Sequence, residues 1–271
     1  MPERRALPSL LVFLSTALVS GALSAGVYAR GLAFTLGPIG AAAHAPAVAV
    51  MTALMALALV RLKGLSRAQS GLVFTRRDGV TLAVTTALTA LWLVGFIALV
   101  GALTGAPLAR SANAVSVAAL ATALASFVGS AAIQQLTTQS LALAASPSAG
   151  ASRGGVAGAP AVFTLAHAPV SAAPRDLLNV ALFGLASTSL FLAPKRPSYA
   201  LPLGLHAGWN WAQLAVLGAP FGDGANPVAI LRWPAASPTL VGGAHGFDEG
   251  ALFAVALLPF FALARWRRTA A

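Results

Sequence analysis

An all-α, polytopic transmembrane helix bundle of about eight spans is what this chain's composition and charge pattern predict. Of its 271 residues, 58% are hydrophobic, while 17 Lys or Arg and 6 Asp or Glu make up only 8%, against roughly 25% charged in a soluble domain. The charges sit in short gaps between apolar runs about 20 residues long, the length at which a helix rising 1.5 Å per residue crosses a hydrocarbon core of about 30 Å. The basic residues also concentrate in alternate gaps, as expected of a chain threaded repeatedly through a bilayer.

Each run has its own boundaries. Leu7 to Val27 follows Arg4 and Arg5; a secretory signal is the alternative there, although the run exceeds the usual apolar region of about 7 to 15 residues. Pro38 to Val60 is closed by Arg61 and Lys63, and Val80 to Leu103 follows Arg76, Arg77 and Asp78. Ala114 to Ala145 is long enough to tilt or to project beyond the bilayer. Val156 to Ala172 emerges from the Ser/Pro/Gly stretch 146–158, and Leu177 to Ala193 lies between Asp176 and Lys195. Ala200 to Gly218 and Gly250 to Ala264 complete the set, separated by the long gap 221–250.

With eight spans and a cytoplasmic N-terminus, the cytoplasmic gaps hold Arg4, Arg5, Arg61, Lys63, Arg67, Arg76, Arg77, Arg153, Lys195, Arg196, Arg265, Arg267 and Arg268. The other side holds Arg30, Arg110, Arg175 and Arg232. That bias predicts a cell-membrane protein with both termini cytoplasmic. The +11 net charge therefore points to the lipid bilayer as partner, and nucleic acid is not expected. The basic loop from Arg61 to Arg77 reads as an anionic-lipid contact. Without cysteine, thiolate metal sites and cysteine nucleophiles are excluded, so any metal would rest on His, amide, carboxylate or backbone. No internal repeat divides the chain, and residues 1–271 read as one membrane domain whose Gly, Ala, Ser and Thr allow close helix contact.

Polar side chains at membrane depth are functional candidates by default. The fourth span carries Gln134, Gln135 and Gln139, with Gln135 and Gln139 one turn apart and Gln134 about 100° round. The fifth places Phe163 and His167 at i and i+4, and the seventh does the same for His206 and Asn210. Counted from the cytoplasmic ends, Gln134 and His167 lie about 16 Å deep and His206 about 12 Å, so the three clusters can share one cavity. Two imidazoles and an amide facing a further polar helix would suit a metal with an activated water.

The Phe163-Thr164-Leu165-Ala166-His167 and His206-Ala207-Gly208-Trp209-Asn210 motifs resemble those of the CPBP family of intramembrane proteases, which includes the CAAX prenyl endopeptidases and the bacteriocin-processing Abi enzymes. The basic segment Gly71 to Arg77 and the glycine-rich turn Val241 to Gly250 are similar too, so the likeness runs in order over about residues 50–265, with a CPBP-like core at about 110–265. The resemblance implies a general-base glutamate in a Glu-Glu-x-x-x-Arg motif, with zinc held through the two histidines and the asparagine, cleaving a membrane-associated or prenylated peptide. Here that motif reads Gln134-Gln135-Leu136-Thr137-Thr138-Gln139, with all three defining residues replaced. An amide oxygen cannot take a proton from water as a carboxylate does, so catalysis is expected to be impaired and zinc weakly held or absent. None of the six acids lies within a span to replace the base.

Two alternatives stand beside this pseudoenzyme: an active endopeptidase with a non-standard base, and a non-enzymatic binding protein, scaffold or small transporter. For single residues, the glutamines also read as interhelical hydrogen-bond glue worth about 0.6 kcal/mol each. His167 and His206 read equally as neutral, internally satisfied histidines. His44 and His245 read as solvated or capping, Trp209 and Trp211 as interface or packing aromatics, and Asp248 with Glu249 as caps of the last span.

Overall fold

A computed structural model describes residues 71, 73–112, 115–140, 153–168, 174–193, 197–219, 229–233, 238–242 and 246–269. The two spans expected before residue 61, the basic residues Arg61 to Arg67, and His44 and His245 lie outside the described residues.

The described chain is mostly helical. In order it forms α1 (Arg76–Leu103), the short strand β1 (Ala109–Arg110), α2 (Val117–Gln135) continued by a π-helical turn (Leu136–Ser140), α3 (Arg153–His167) and α4 (Pro174–Leu192). Then come α5 (Ala200–Asn210) continued by a second π segment (Trp211–Val216), β2 (Leu231–Arg232), α6 (Pro238–Val241), a 3₁₀ turn (Gly246–Glu249) and α7 (Phe253–Thr269). The two strands pair antiparallel, Ala109 opposite Arg232 and Arg110 opposite Leu231.

Local chemistry moves the helix ends away from the apolar boundaries. α1 starts before Val80 because Thr75 and Asp78 form a capping box: the Thr75 N–H donates to Asp78 Oδ2 at 2.8 Å and the Asp78 N–H to Thr75 Oγ1 at 3.3 Å. α3 gives way to 3₁₀ geometry at Ala168, immediately before Pro169, which disfavours α geometry at the residue preceding it; the rest of the expected span lies outside the described residues. α4 opens on Pro174, whose missing N–H costs nothing at a first helical position, with Asp176 in its first turn. α7 runs on to Thr269, and Arg267 and Arg268 in its last turn complement the helix dipole.

Among the described residues two helices, α1 and α4, are long and apolar enough to cross a bilayer. α1 exposes an apolar face, while its buried face mixes threonines with Ala90, Leu93, Ile97 and Val100. Val80, Val84, Leu88, Leu91, Leu99 and Leu103 form an exposed stripe, Leu103 at 78%. Thr85, Thr86 and Thr89 are buried. In water such a stripe would be an aggregation liability, whereas lipid tails are as apolar as leucine and leave helix contact to small and polar residues. α5 packs along the threonine face of α1 through two glycines. A Cβ on Gly204 would lie 2.7 Å from Thr85 Cβ, and one on Gly208 would collide with the Thr86 carbonyl oxygen. α5 thus occupies the centre, with α1, α2 and α4 around it, α3 and α7 packed on α4, and an aromatic core of Phe163, Phe183, Trp209, Phe247 and Phe253.

Candidate functional site

Packing of α2 and α4 against α5 brings Gln135 to His206. The Gln135 side chain is fully buried, His206 is 3% exposed, and Gln135 Nε2 lies 3.0 Å from His206 Nδ1. Gln139 follows one turn later, inside the π segment, with Nε2 at 3.4 Å from Gln135 Oε1 and 3.1 Å from Thr188 Oγ1 on α4. Ser187 Oγ lies 3.5 Å from Gln135 Nε2. π segments concentrate at functional sites, and this one turns Gln139 towards the same neighbour as Gln135.

The hydrogen bonds fix which way the amides point. Thr188 Oγ1 is 2.8 Å from the Gly184 carbonyl, which can only accept, so the Thr188 proton is committed there. Its oxygen must therefore accept from Gln139, which orients the Gln139 amide. Gln139 in turn donates to Gln135 Oε1, leaving Gln135 Nε2 to face the imidazole. An amide N–H requires an acceptor, so the network assigns His206 as the neutral tautomer with a lone pair on Nδ1 and its proton on Nε2.

His167 has the other tautomer. Its Nδ1 lies 2.7 Å from the Phe163 carbonyl, again an acceptor, so Nδ1 carries the proton and Nε2 keeps the lone pair. The Phe163 ring lies against both imidazoles, its centroid 4.4 Å from that of His167 and 5.7 Å from that of His206. Phe183 from α4 closes the other side of His206 at 5.2 Å, edge-on.

This donor set does not fit a zinc ion. The lone pair of His206 is occupied by the Gln135 amide, its remaining ring nitrogen is protonated, and Gln135, Gln139 and Asn210 bring no negative charge. Among the described residues no group of three His, Cys, Asp or Glu is placed to hold a metal. The glutamines do not supply a base either, since a neutral amide oxygen is a hydrogen-bond acceptor of negligible basicity.

The sequence motifs converge only in part. Gln135, Gln139, His206, Phe163 and His167 are brought together. Gln134 instead donates to Ser130 on its own helix at 3.5 Å, and the half-buried Asn210 side chain makes no hydrogen bond to another described residue. Ser187 and Thr188, which orient the amides, escaped the sequence reading. Their only signal was the run Ser187-Thr188-Ser189 in an otherwise apolar span.

Three readings of peripheral residues are corrected or narrowed. Trp209, 1% exposed, is a core aromatic and not an interfacial one. Trp211 donates from Nε1 to the Leu120 carbonyl at 3.1 Å and so ties α5 to α2. Asp248 does not cap α7: the N–H groups of Ala251, Leu252 and Phe253 donate instead to the carbonyls of Thr239, Leu240 and Gly250. No family model, no curated protein and no solved structure matches the chain.

Proposed function

We propose that this is a multi-pass membrane protein of about eight spans with a CPBP-like core over about residues 110–265, in which a glutamine network has replaced the catalytic glutamate. Its cavity binds a membrane-associated or prenylated peptide without cleaving it. The observation that carries this reading is the Gln135–His206 hydrogen bond at 3.0 Å. It joins a position where the resemblance expects a glutamate to one where it expects a catalytic histidine, and an amide in the glutamate's place cannot take a proton from water.

Contacts between loops support the proposed threading. β1 and β2 pair residues from two gaps assigned to the extracytoplasmic side. Asn179, at the end of the span Leu177 to Ala193 assigned to that same side, reaches the Asp248 and Gly250 carbonyls at the start of the last span. Ser198 Oγ donates to Asp78 Oδ1 at 2.8 Å, linking two gaps assigned to the cytoplasm. An odd number of spans between the members of any pair would put them on opposite faces. The exposed leucine stripe of α1 supports the membrane setting.

The test uses the full chain in lipid nanodiscs, with metal analysis, cleavage of a quenched prenylated peptide and binding of the same peptide by fluorescence anisotropy. Binding without turnover, and zinc well below one per chain, is the expected result. Turnover by the wild type would contradict the impaired reading, and absence of both binding and turnover would contradict the recognition reading.

A further inference from the structure

The C-terminal end of α7 is both basic and aromatic. Arg265-Trp266-Arg267-Arg268 puts three guanidiniums in four residues, and the Arg265, Trp266 and Arg268 side chains are exposed, Trp266 at 61%. The Arg267 guanidinium lies over the Trp266 ring, its Cζ 5.9 Å from the ring centroid. Val255, Leu258, Ala262 and Arg265 follow one another at helical spacing and are all exposed, so they form one face. That face is apolar for about 10 Å and then turns basic at Arg265, with the tryptophan beside it.

α7 and α1 run antiparallel, so the same end of the molecule holds the start of α1. Trp92 Nε1 donates to the Ala256 carbonyl at 2.9 Å. Phe96, one turn further along α1, meets Phe247, which precedes α7, with ring centroids 6.0 Å apart. Counted from the Trp92 contact, Trp266 lies about 15 Å and Arg77 about 22 Å towards this end. The start of α1 repeats the composition: Phe74 is 55% exposed and neighbours the exposed Arg76 and Arg77.

Among the described residues no exposed carboxylate stands at this end to neutralise the guanidiniums. Asp176, Asp248 and Glu249 lie at the opposite end, where α4 and α7 begin. Asp78 is at this end but buried, and it accepts from Ser198 Oγ at 2.8 Å and from the Thr75 N–H at 2.8 Å. The helix dipole favours cations at a C-terminus, but it offers nothing to an exposed indole. An indole and arginines just beyond an apolar stripe suit the boundary between acyl chains and headgroups, and uncompensated positive charge there suits a lipid of net negative charge.

We propose that the C-terminal end of α7 binds an anionic phospholipid: Arg265 and Arg268 hold the headgroup phosphate, and Trp266, with the Arg267 guanidinium over its ring, sits at the base of the headgroup. This inference rests on the membrane setting proposed above and not on the peptide-binding reading, because the site shares no residue with the histidine cluster.

Tryptophan quenching in liposomes tests it, with the full chain reconstituted in phosphatidylcholine that contains brominated phosphatidylglycerol or, in parallel, the same fraction of brominated phosphatidylcholine. Trp266→Phe gives the Trp266 contribution by difference. That contribution should be quenched more strongly by the anionic lipid at low salt, and the preference should fade at about 0.5 M salt. Arg265→Gln with Arg268→Gln should lower the preference about fivefold for each guanidinium removed. If the double variant loses the wild-type helical circular dichroism, Arg268→Gln alone and the salt series decide the matter. Equal quenching of Trp266 by the two lipids, a preference indifferent to salt, or one kept by the folded double variant overturns the proposal and leaves the membrane setting standing. Absence of quenching by either lipid overturns both. Loss of the preference on adding millimolar inorganic phosphate at constant ionic strength also overturns it, by assigning the site to free phosphate.

Discussion

Replacing Gln135 and Gln139 together by Glu and Arg should move a proton from one side of the His206 ring to the other. In the wild type the amide N–H at 3.0 Å demands a lone pair on His206 Nδ1. A glutamate at 135 would be kept ionised by an arginine at 139, because the present side chains already meet at 3.4 Å. The carboxylate then demands a donor from the same ring nitrogen. A hydrogen bond to a charged acceptor is worth about 1.5–3 kcal/mol, and the wrong tautomer would also leave a buried acceptor unpaired. The preference for Nδ1–H should thus be at least about 2 kcal/mol, roughly thirtyfold. Nitrogen NMR on histidine-labelled chain in detergent reads the tautomer directly, with His167, Nδ1-protonated in both proteins, as the internal reference. The wild type should show His206 protonated on Nε2 and the double variant on Nδ1, which frees Nε2 as a metal ligand. If His206 holds its proton on Nδ1 in the wild type, or keeps it on Nε2 in the variant, the assigned network is wrong.

Further outcomes follow from single contacts. Thr188→Val removes the hydroxyl that orients Gln139 and should cost about 1–3 kcal/mol in detergent unfolding, since a buried amide loses its partner. Gly208→Ala forces a methyl into the Thr86 carbonyl and should destabilise by about 1–3 kcal/mol or more, whereas Gly95→Ala, which meets nothing within 4 Å, should be neutral or slightly stabilising. For topology, Ser70→Cys should react with an impermeant maleimide only from the cytoplasmic side and Arg110→Cys only from the other; labelling of both from one side would overturn the threading.

The helical class was legible because an apolar run of bilayer length has few alternatives, and α1 and α4 are found where such runs lie. Their ends were less so, since caps act over three or four residues: the Thr75 and Asp78 capping box starts α1 at Arg76, ahead of the apolar boundary at Val80. The meeting of Gln135 with His206 was readable from depth along each span. Which of two adjacent glutamines would face the histidine was not, since the 100° between them is resolved only by packing against α4. Ser187 and Thr188 look like any small residues that let helices approach, and their chemistry appears only when Gln139 arrives beside them. The bonds from Asn179 to the Asp248 and Gly250 carbonyls join residues 69 and 71 apart, beyond the reach of any local sequence pattern.

The central claim is that glutamines stand where a catalytic base is required. The most direct measurement is cleavage of a quenched prenylated peptide, with zinc content, by the triple variant Gln134→Glu, Gln135→Glu, Gln139→Arg beside the wild type in the same nanodiscs. The account predicts an inert, zinc-poor wild type and a variant that gains zinc binding together with turnover. Cleavage by the wild type, or a folded triple variant that remains inert and metal-free, would contradict it.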